Sequence, residues 1–178
     1  MSQKLFLATL GIGNIQNDML ILPAQYEDHS RIWQILEPII RARETYALPR
    51  DMSEAEALSY WTGQDRETFV AKDDRHVVGT YYLRANQLGG GSHVANCGYA
   101  TAVEATGRGV ARQMCEHSLE RARARGFKAM QFNFVVSTNE RAVKLWQGLG
   151  FDNVGRLPLA FLHPRLGYVD ALVMYRTL

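Results

Sequence analysis

The stretch from residue 99 to residue 112, YATAVEATGRGVAR, constrains the fold of this chain more than any other. A β-prone run ends in a short segment with Gly107 and Gly109, and a helical pattern begins directly afterwards. Glycine lacks a Cβ, so the backbone can approach an anion closely, and the free N–H groups at a helix start point towards that anion. Arg108 and Arg112 add positive charge at the same end. The stretch therefore predicts a strand, a turn and a helix that bind a diphosphate.

Hydrophobic periodicity along the rest of the chain predicts a single α+β domain with a mixed sheet. Runs rich in β-branched and aromatic residues predict strands at residues 19–23, 68–72, 76–83, 94–101, 128–136, 152–158 and 168–175. Apolar residues at helical spacing predict four helices. They are expected at residues 30–43, from Asp51 or Ser53 to about Trp61, at residues 110–125, and from a cap at Ser137, Thr138 or Asn139 to residue 149. Pro38 is expected to kink or break the first helix, and residues 161–167 are expected to form a loop. The strand, helix and strand after residue 94 predict a right-handed crossover between parallel strands.

Charge and composition exclude several classes of function. The chain has 178 residues and a net charge of only +2, from 20 basic and 18 acidic residues, so any anion site must be local. The small net charge does not favour binding to nucleic acid or to a membrane surface. No run approaches the roughly 18 apolar residues that span a bilayer. Residues 1–18 are expected to form an extension or an extra edge strand. Cys97 and Cys115 lack metal-ligand spacing and are interpreted as reduced core thiols, which indicates a cytoplasmic protein without a metal site.

Other glycine-rich segments do not fit nucleotide-binding fingerprints. A dinucleotide fingerprint would need a third glycine three residues after Gly109, where Arg112 stands. The segment NQLGGGSH at residues 86–93 is followed by no helical pattern and contains no Gly-Lys-Ser/Thr, so it is interpreted as a hairpin loop.

Two motifs lie on either side of the predicted crossover. TGRGVA at residues 106–111 follows one strand, and NERAVKLWQGLGF at residues 139–151 follows the next. The first is similar to the pyrophosphate turn, and the second to the N-x-x-A-x-x-L-Y-x-x-x-G-F helix, of the GNAT superfamily of N-acetyltransferases. The resemblance extends from Met19 to the C-terminus and implies the GNAT fold. That fold has a largely antiparallel sheet of roughly six or seven strands, about four helices, and acetyl-CoA bound at the crossover.

The resemblance also implies which residues bind acetyl-CoA. The turn would donate backbone N–H groups to the diphosphate, and the strand before it would pair with the pantetheine arm as an added strand would. The matching positions are Ala100, Thr101, Thr106, Gly107, Arg108, Gly109, Val110, Ala111 and Asn139.

Three departures from the family pattern concern the chemistry. Thr106 stands where the family usually has Arg or Gln, which removes long side-chain donors but leaves a hydroxyl and the backbone amides. Trp146 stands where many members have a tyrosine that protonates the leaving thiolate, and an indole N–H is not a practical acid at neutral pH. Asn96 and Cys97 occupy the region where many members place an acidic base.

Candidates for the catalytic groups lie elsewhere. Glu44 and Tyr46, in the loop after the first predicted helix, are candidate bases, and a water chain to the solvent is an equal alternative. Asn133 cannot act as a base, but it can orient an amine or hold a carboxylate. His163 is interpreted as a surface or dimer-contact residue, and Asp170 as a structural hydrogen-bond acceptor.

Within the superfamily, the YALP loop and the ending GYVDALVMYRTL look most like the phosphinothricin and amino-acid N-acetyltransferases. The function expected is therefore acetyl transfer to the amine of a small molecule, an amino acid or a toxic analogue of one. A protein or peptide N-acetyltransferase is the enzyme alternative, and a non-catalytic acyl-CoA-binding regulatory module is the other. A homodimer is implied by the resemblance alone.

Overall fold

The computed structural model describes residues 19–178, so the prediction for residues 1–18 lies outside the described residues. The strands are β1 Leu20–Pro23, β2 Arg66–Asp73, β3 His76–Ala85, β4 Val94–Thr101, β5 Ala129–Val136, β6 Asp152–His163 and β7 Gly167–Thr177. The helices are α1 His29–Ala42, α2 Glu54–Trp61, α3 Val110–Ala124 and α4 Glu140–Gly148. These elements match the predicted types and order.

The strands form one mixed sheet of seven strands in the order β1-β2-β3-β4-β5-β7-β6. Every neighbouring pair is antiparallel except β4 and β5, which the α3 crossover joins in parallel as predicted. The parallel pairing is short, because only Val94 with Ala129 and Ala95 with Met130 are in register. Beyond these pairs β4 and β5 separate, and the sheet is open at its centre.

The helices cover both faces of the sheet, because successive side chains of a strand point to opposite faces. Thr80 of β3 accepts a hydrogen bond from Trp61 Nε1 of α2 over 3.0 Å. The next residue, Tyr81, shares a 2.6 Å hydrogen bond with His117 of α3 on the opposite face. Val110 and Met114 of α3 are buried on that second face, against Gly79 of β3. The face with Thr80 therefore carries α1 and α2, and the face with Tyr81 carries α3.

Pro38 does not break α1, contrary to one of the two expectations for it. The helix continues to Ala42, and Ile35, Leu36 and Ile40 on either side of the proline are buried. Pro38 itself is exposed on the solvent side, where water can bind the carbonyl group that the missing N–H would have served. Burial of the apolar side therefore keeps the helix continuous.

The end of β6 differs from the prediction. A loop was expected from residue 161, but β6 extends to His163 and only residues 164–166 connect it to β7. The register shifts between Leu157 and Phe161, and Leu159 has a positive φ of 51°. This bulge interrupts the alternation from which strands are recognised in sequence. Asp170 Oδ1 accepts the Leu159 N–H over 2.8 Å, in agreement with the structural role expected for Asp170.

Candidate functional site

The separation of β4 and β5 creates a cleft of about 850 Å³. Its walls are β4, β5, the glycine turn, the first residues of α3 and α4, and the loop at residues 45–48. Asn86 N donates to Val94 O over 2.8 Å, and Ala102 N donates to Val78 O over 2.9 Å, so the even-numbered residues of β4 bond towards β3. Backbone groups alternate in direction along a strand. Those of Cys97, Tyr99 and Thr101 therefore face the cleft.

This alternation separates the two strand residues that the family pattern singled out. Ala100 lines the cleft, but it pairs in register with Thr80, and its N–H and C=O lie on the β3 side. Thr101 also lines the cleft, and its backbone groups point to the open side. Of these two residues, Thr101 is therefore the one that can pair with a ligand through its backbone.

The glycine turn has the shape of an anion cradle. Gly107 and Gly109 have positive φ values of 85° and 80°, and no heavy atom lies within 4 Å of a Cβ placed on Gly109. The bond from Gln113 N to Gly109 O, 3.1 Å long, starts the α3 ladder. The N–H groups of Val110 and Ala111 precede that bond and have no acceptor within the helix. Free donors, the helix dipole and open space therefore coincide at this end of the cleft.

Three cations line the cleft near this turn: Arg112, Arg141 and Lys144. Sequence reasoning missed Arg141 and Lys144, although their spacing of three residues places both on one side of α4. Arg108, by contrast, is not among the lining residues. Its guanidinium pairs with Asp73, and its N–H donates to Ala105 O over 3.3 Å. The Arg108 N–H thus has a partner within the turn, and a role for it as a backbone donor to a diphosphate stays a prediction.

Thr106 and Asn139 line the cleft and both make local hydrogen bonds. The Thr106 hydroxyl donates to Ala102 O over 3.5 Å. Asn139 Oδ1 accepts from Ala142 N over 3.3 Å, so Asn139 caps α4 and faces the cleft at once.

An aromatic cluster forms one wall of the cleft. The ring centroid of Trp146 lies 5.0 Å from that of Tyr99 and 5.2 Å from that of Phe132. The Tyr99 hydroxyl is hydrogen-bonded to Ser118 Oγ over 2.7 Å, and burial raises the pKa of Tyr99 well above its ordinary value. Burial likewise raises the pKa of the Cys97 thiol. None of these groups is therefore an acid near neutral pH.

The two candidate bases, Glu44 and Tyr46, lie in different places relative to the cleft. Tyr46 lines the cleft, but its hydroxyl donates to Tyr99 O over 2.8 Å, and burial raises its pKa well above the ordinary value. Tyr46 therefore stays protonated and is part of the wall, not a base. Glu44 is not among the lining residues, since its carboxylate pairs with Arg165 Nη2 over 2.8 Å. His163 was expected at the surface or in a dimer contact, but it is buried outside the cleft, where its Nδ1 accepts the Arg165 N–H over 3.2 Å.

Asn133 lines the cleft where β5 carries a register shift between Phe132 and Val135. Its Oδ1 accepts from Gln131 Nε2 over 2.8 Å, and its Nδ2 donates to Asn86 Oδ1 over 2.6 Å. The side chain is exposed and held by two amide neighbours, so it is oriented by contacts that leave it accessible to a ligand. Arg84, Tyr60 and Tyr82 line the same part of the cleft, and sequence reasoning missed all three.

Residues 26–151 match the acetyltransferase (GNAT) family. The chain belongs to this family. A GCN5-related N-acetyltransferase from Kribbella flavida is 41% identical, with a TM-score of 0.86 over 90% of this chain and 98% of that one. A phosphinothricin acetyltransferase from Sinorhizobium meliloti, solved in complex with acetyl-CoA, is 22% identical, with a TM-score of 0.78 over 90% and 88% of the two chains.

Among curated proteins, N-acetyltransferase aca1 of Schizosaccharomyces pombe is 33% identical over 98 residues. The match covers 54% of this chain and 47% of aca1, so it spans about half the length of that relative. No helix within residues 19–178 is long and apolar enough to cross a membrane. In the same part of the chain, no cluster of three or more His, Cys, Asp or Glu side chains is arranged to bind a metal ion.

The cleft of this GNAT chain fits acetyl-CoA. A diphosphate needs donors and positive charge, which the glycine turn, the start of α3 and the cations Arg112, Arg141 and Lys144 supply. A pantetheine arm carries amide groups, which can pair with the free backbone of β4 as an added strand does. The residues present therefore match the diphosphate and the pantetheine arm, in that order along the cleft.

Proposed function

We propose that this chain is an acetyl-CoA-dependent N-acetyltransferase that acetylates the amine of a small molecule, an amino acid or a toxic analogue of one. The observation that carries the proposal is one continuous cleft with two different ends. One end has the glycine turn with three cations, and the other has Asn133, Arg84 and a group of tyrosines. Its volume of about 850 Å³ is within the range of ligand pockets. The acetyl donor and the amine that accepts the acetyl group can therefore meet in one cleft.

The reaction follows from what the cleft can hold. Bound acetyl-CoA would supply an activated acetyl group as a thioester. The neutral amine forms an N–C bond to the acetyl carbon, the C–S bond breaks with its electron pair on sulfur, and the amine loses one proton while the thiolate gains one. A free β4 N–H near the carbonyl oxygen stabilises the charge that develops there. Holding both reactants in one cleft supplies much of the rate enhancement.

The proton of the amine leaves without a dedicated side-chain base in this proposal. Among the described residues that line the cleft there is no Asp or Glu, and Tyr46 stays protonated. Water that reaches the cleft accepts the proton, and Asn133 orients the amine. A single general base typically contributes only about 10²–10⁴-fold, so transfer remains feasible without one.

The lack of acidic lining residues also bears on the substrate. A peptide acetyltransferase would favour an open, acidic groove for its chain, whereas this cleft is lined by basic, amide and aromatic side chains. The phosphinothricin acetyltransferase with the same fold supports assignment to the group that acetylates amino acids and their analogues. We also propose that residues 19–178 form the catalytic domain after an N-terminal extension.

We further propose a cytoplasmic homodimer. The support for a dimer is the sheet edge at β6, where Leu157, Leu159 and Leu162 are exposed. The proposed cytoplasmic location is supported by the two free, buried thiols, Cys97 and Cys115. Size-exclusion chromatography with light scattering measures the oligomeric state.

The test of the activity is thiol release from acetyl-CoA in the presence of single amino acids, polyamines and short peptides. Release that depends on an amino acid supports the proposal, and mass spectrometry of the product shows the added acetyl group. Trp146 in place of the family tyrosine favours the non-catalytic acyl-CoA-binding alternative. Tight acetyl-CoA binding without thiol release for any amine would establish that alternative and refute the enzyme.

A further inference from the structure

Arg84 lies at the end of the cleft that is distant from the glycine turn. It pairs in register with Asn96 of β4, whereas Gly79 pairs with Thr101 at the other end. Five residues of strand separate these positions on β4, or about 17 Å at roughly 3.4 Å per residue. The turn-side cations Arg112, Arg141 and Lys144 are on helices beyond Thr101 and serve the donor end. Arg84 is therefore a separate positive group beside the place where β4 and β5 separate.

The Arg84 guanidinium has one edge occupied and one buried donor without a partner. Nη1 donates to Asp65 Oδ2 over 3.1 Å. Within residues 19–178, Nε of Arg84 is the one buried side-chain nitrogen or oxygen atom without a hydrogen-bond partner. A buried charged donor is costly to leave unpaired, so such an atom indicates a missing acceptor. Nε and Nη2 form the edge that binds a carboxylate through two parallel hydrogen bonds.

The charge around Arg84 favours an anion as the missing hydrogen-bond acceptor. Asp65 is shared, because Arg66 Nε also contacts its carboxylate over 2.8 Å. Arg66 is held by the aromatic rings of Tyr60 and Tyr82, with its guanidinium carbon 5.2 and 4.9 Å from their centroids. Two guanidinium groups therefore share one carboxylate. No acidic side chain among the described residues lines the cleft to balance the remaining positive charge.

We infer that Arg84 binds the carboxylate of the acetyl-accepting substrate through its Nε and Nη2 edge, and that this substrate is therefore a free amino acid. This inference rests on the proposed acetyltransferase function. It assigns the acceptor end of the cleft a selection rule: an amine with a nearby carboxylate is bound, and the same amine without it is rejected. The Asn133 amide, on the opposite strand of the cleft, then orients the amine of a substrate anchored by its carboxylate.

The test compares matched substrates and variants of the full chain. The best amino-acid acceptor and its carboxamide, which keeps the amine and loses the charge, are assayed by thiol release. Arg84→Gln should raise KM for the amino acid by about tenfold or more and leave KM for the carboxamide within about twofold. Arg84→Lys should recover only part of the preference, because a lysine cannot bind bidentately. Arg75→Gln, at an exposed hairpin turn, is the matched control and should change neither constant.

The acetyl-CoA dissociation constant, measured by calorimetry, verifies that each variant is folded and should be unchanged. Equal KM increases for the amino acid and the carboxamide, or no increase for either, would overturn the role of Arg84. If the wild-type chain releases no thiol with any amine, the proposed function fails separately. Calorimetry of amino acids on the CoA-loaded chain then decides on Arg84: binding that Arg84→Gln abolishes supports the inference, and absent or unchanged binding overturns it.

Discussion

Replacing Gly109 by alanine separates the strain of the glycine turn from its role in binding. Gly109 has a φ of 80°, where an L-residue costs about 1–2 kcal/mol. No heavy atom lies within 4 Å of the added Cβ, so steric overlap inside the protein adds nothing. Gly126, at the other end of α3, has a φ of 83° and the same open surroundings. Gly126→Ala is therefore a matched control with the same backbone strain outside the cleft.

Both variants should lose about 1–2 kcal/mol of unfolding free energy, which lowers Tm by about 2–4 °C for each kcal/mol in a domain of this size. Only Gly109→Ala should weaken acetyl-CoA binding, because its Cβ enters the space where a diphosphate approaches the start of α3. Losing one charge-assisted hydrogen bond costs about 1.5–3 kcal/mol, so calorimetry should give a roughly ten- to hundredfold higher Kd. A Kd equal to that of Gly126→Ala, with Tm lowered in both, would refute the diphosphate role of the turn.

Three further predictions concern acid stability, the core and the leaving group. Burial raises the pKa of Asp28, but hydrogen bonds led by the one from Lys72 outweigh burial, so the pKa in the folded state is lowered. The ionised carboxylate therefore stabilises the fold above about pH 4, and this stabilisation is lost as the pH falls through the folded-state pKa. Lys72→Met should flatten the fall of urea-unfolding stability with acid, and an unchanged slope would contradict the pairing. Trp61→Phe deletes the buried donor to Thr80 and should cost about 1–3 kcal/mol in denaturant unfolding, whereas no loss would show that the bond contributes nothing. Trp146→Phe should leave kcat within about threefold, because the indole is no acid, and a hundredfold drop at unchanged acetyl-CoA affinity would assign it that role.

The parts of the fold that depend on local periodicity could be predicted from the sequence. The strand predicted at residues 94–101 and the helix predicted at residues 110–125 agree with the structure, in which the strand is Val94–Thr101 and the helix is Val110–Ala124. Ser53 caps α2 as one of its two predicted starts, because a capping serine and Glu56 are close in sequence. The glycine turn was recognisable for the same reason, since strand, turn and helix follow one another along the chain.

The parts that depend on distant contacts could not be predicted. The position of Arg108 in the turn predicts a side chain that faces the cleft, but Asp73, 35 residues earlier, binds that side chain. The significance of Arg84 appears only when β3 and β4 pair and its Nε is buried beside the cleft. Tyr46 could be placed near the ligand but not excluded as a base, because that depends on the carbonyl of Tyr99 in another element. Burial and partner choice are properties of the assembled sheet.

Because β4 and β5 separate early, the stability of this protein depends on the concentration of the ligand that binds between them. The sheet lacks hydrogen bonds at its centre, where the backbone of Cys97, Tyr99 and Thr101 faces the cleft. A ligand that pairs there acts as a removable strand, and its binding free energy adds to the stability of the native state. At a free concentration about a hundred times its Kd, such a ligand contributes about 2.7 kcal/mol. A cell rich in acetyl-CoA would therefore protect the chain from unfolding and proteolysis, and a starved cell would withdraw that protection.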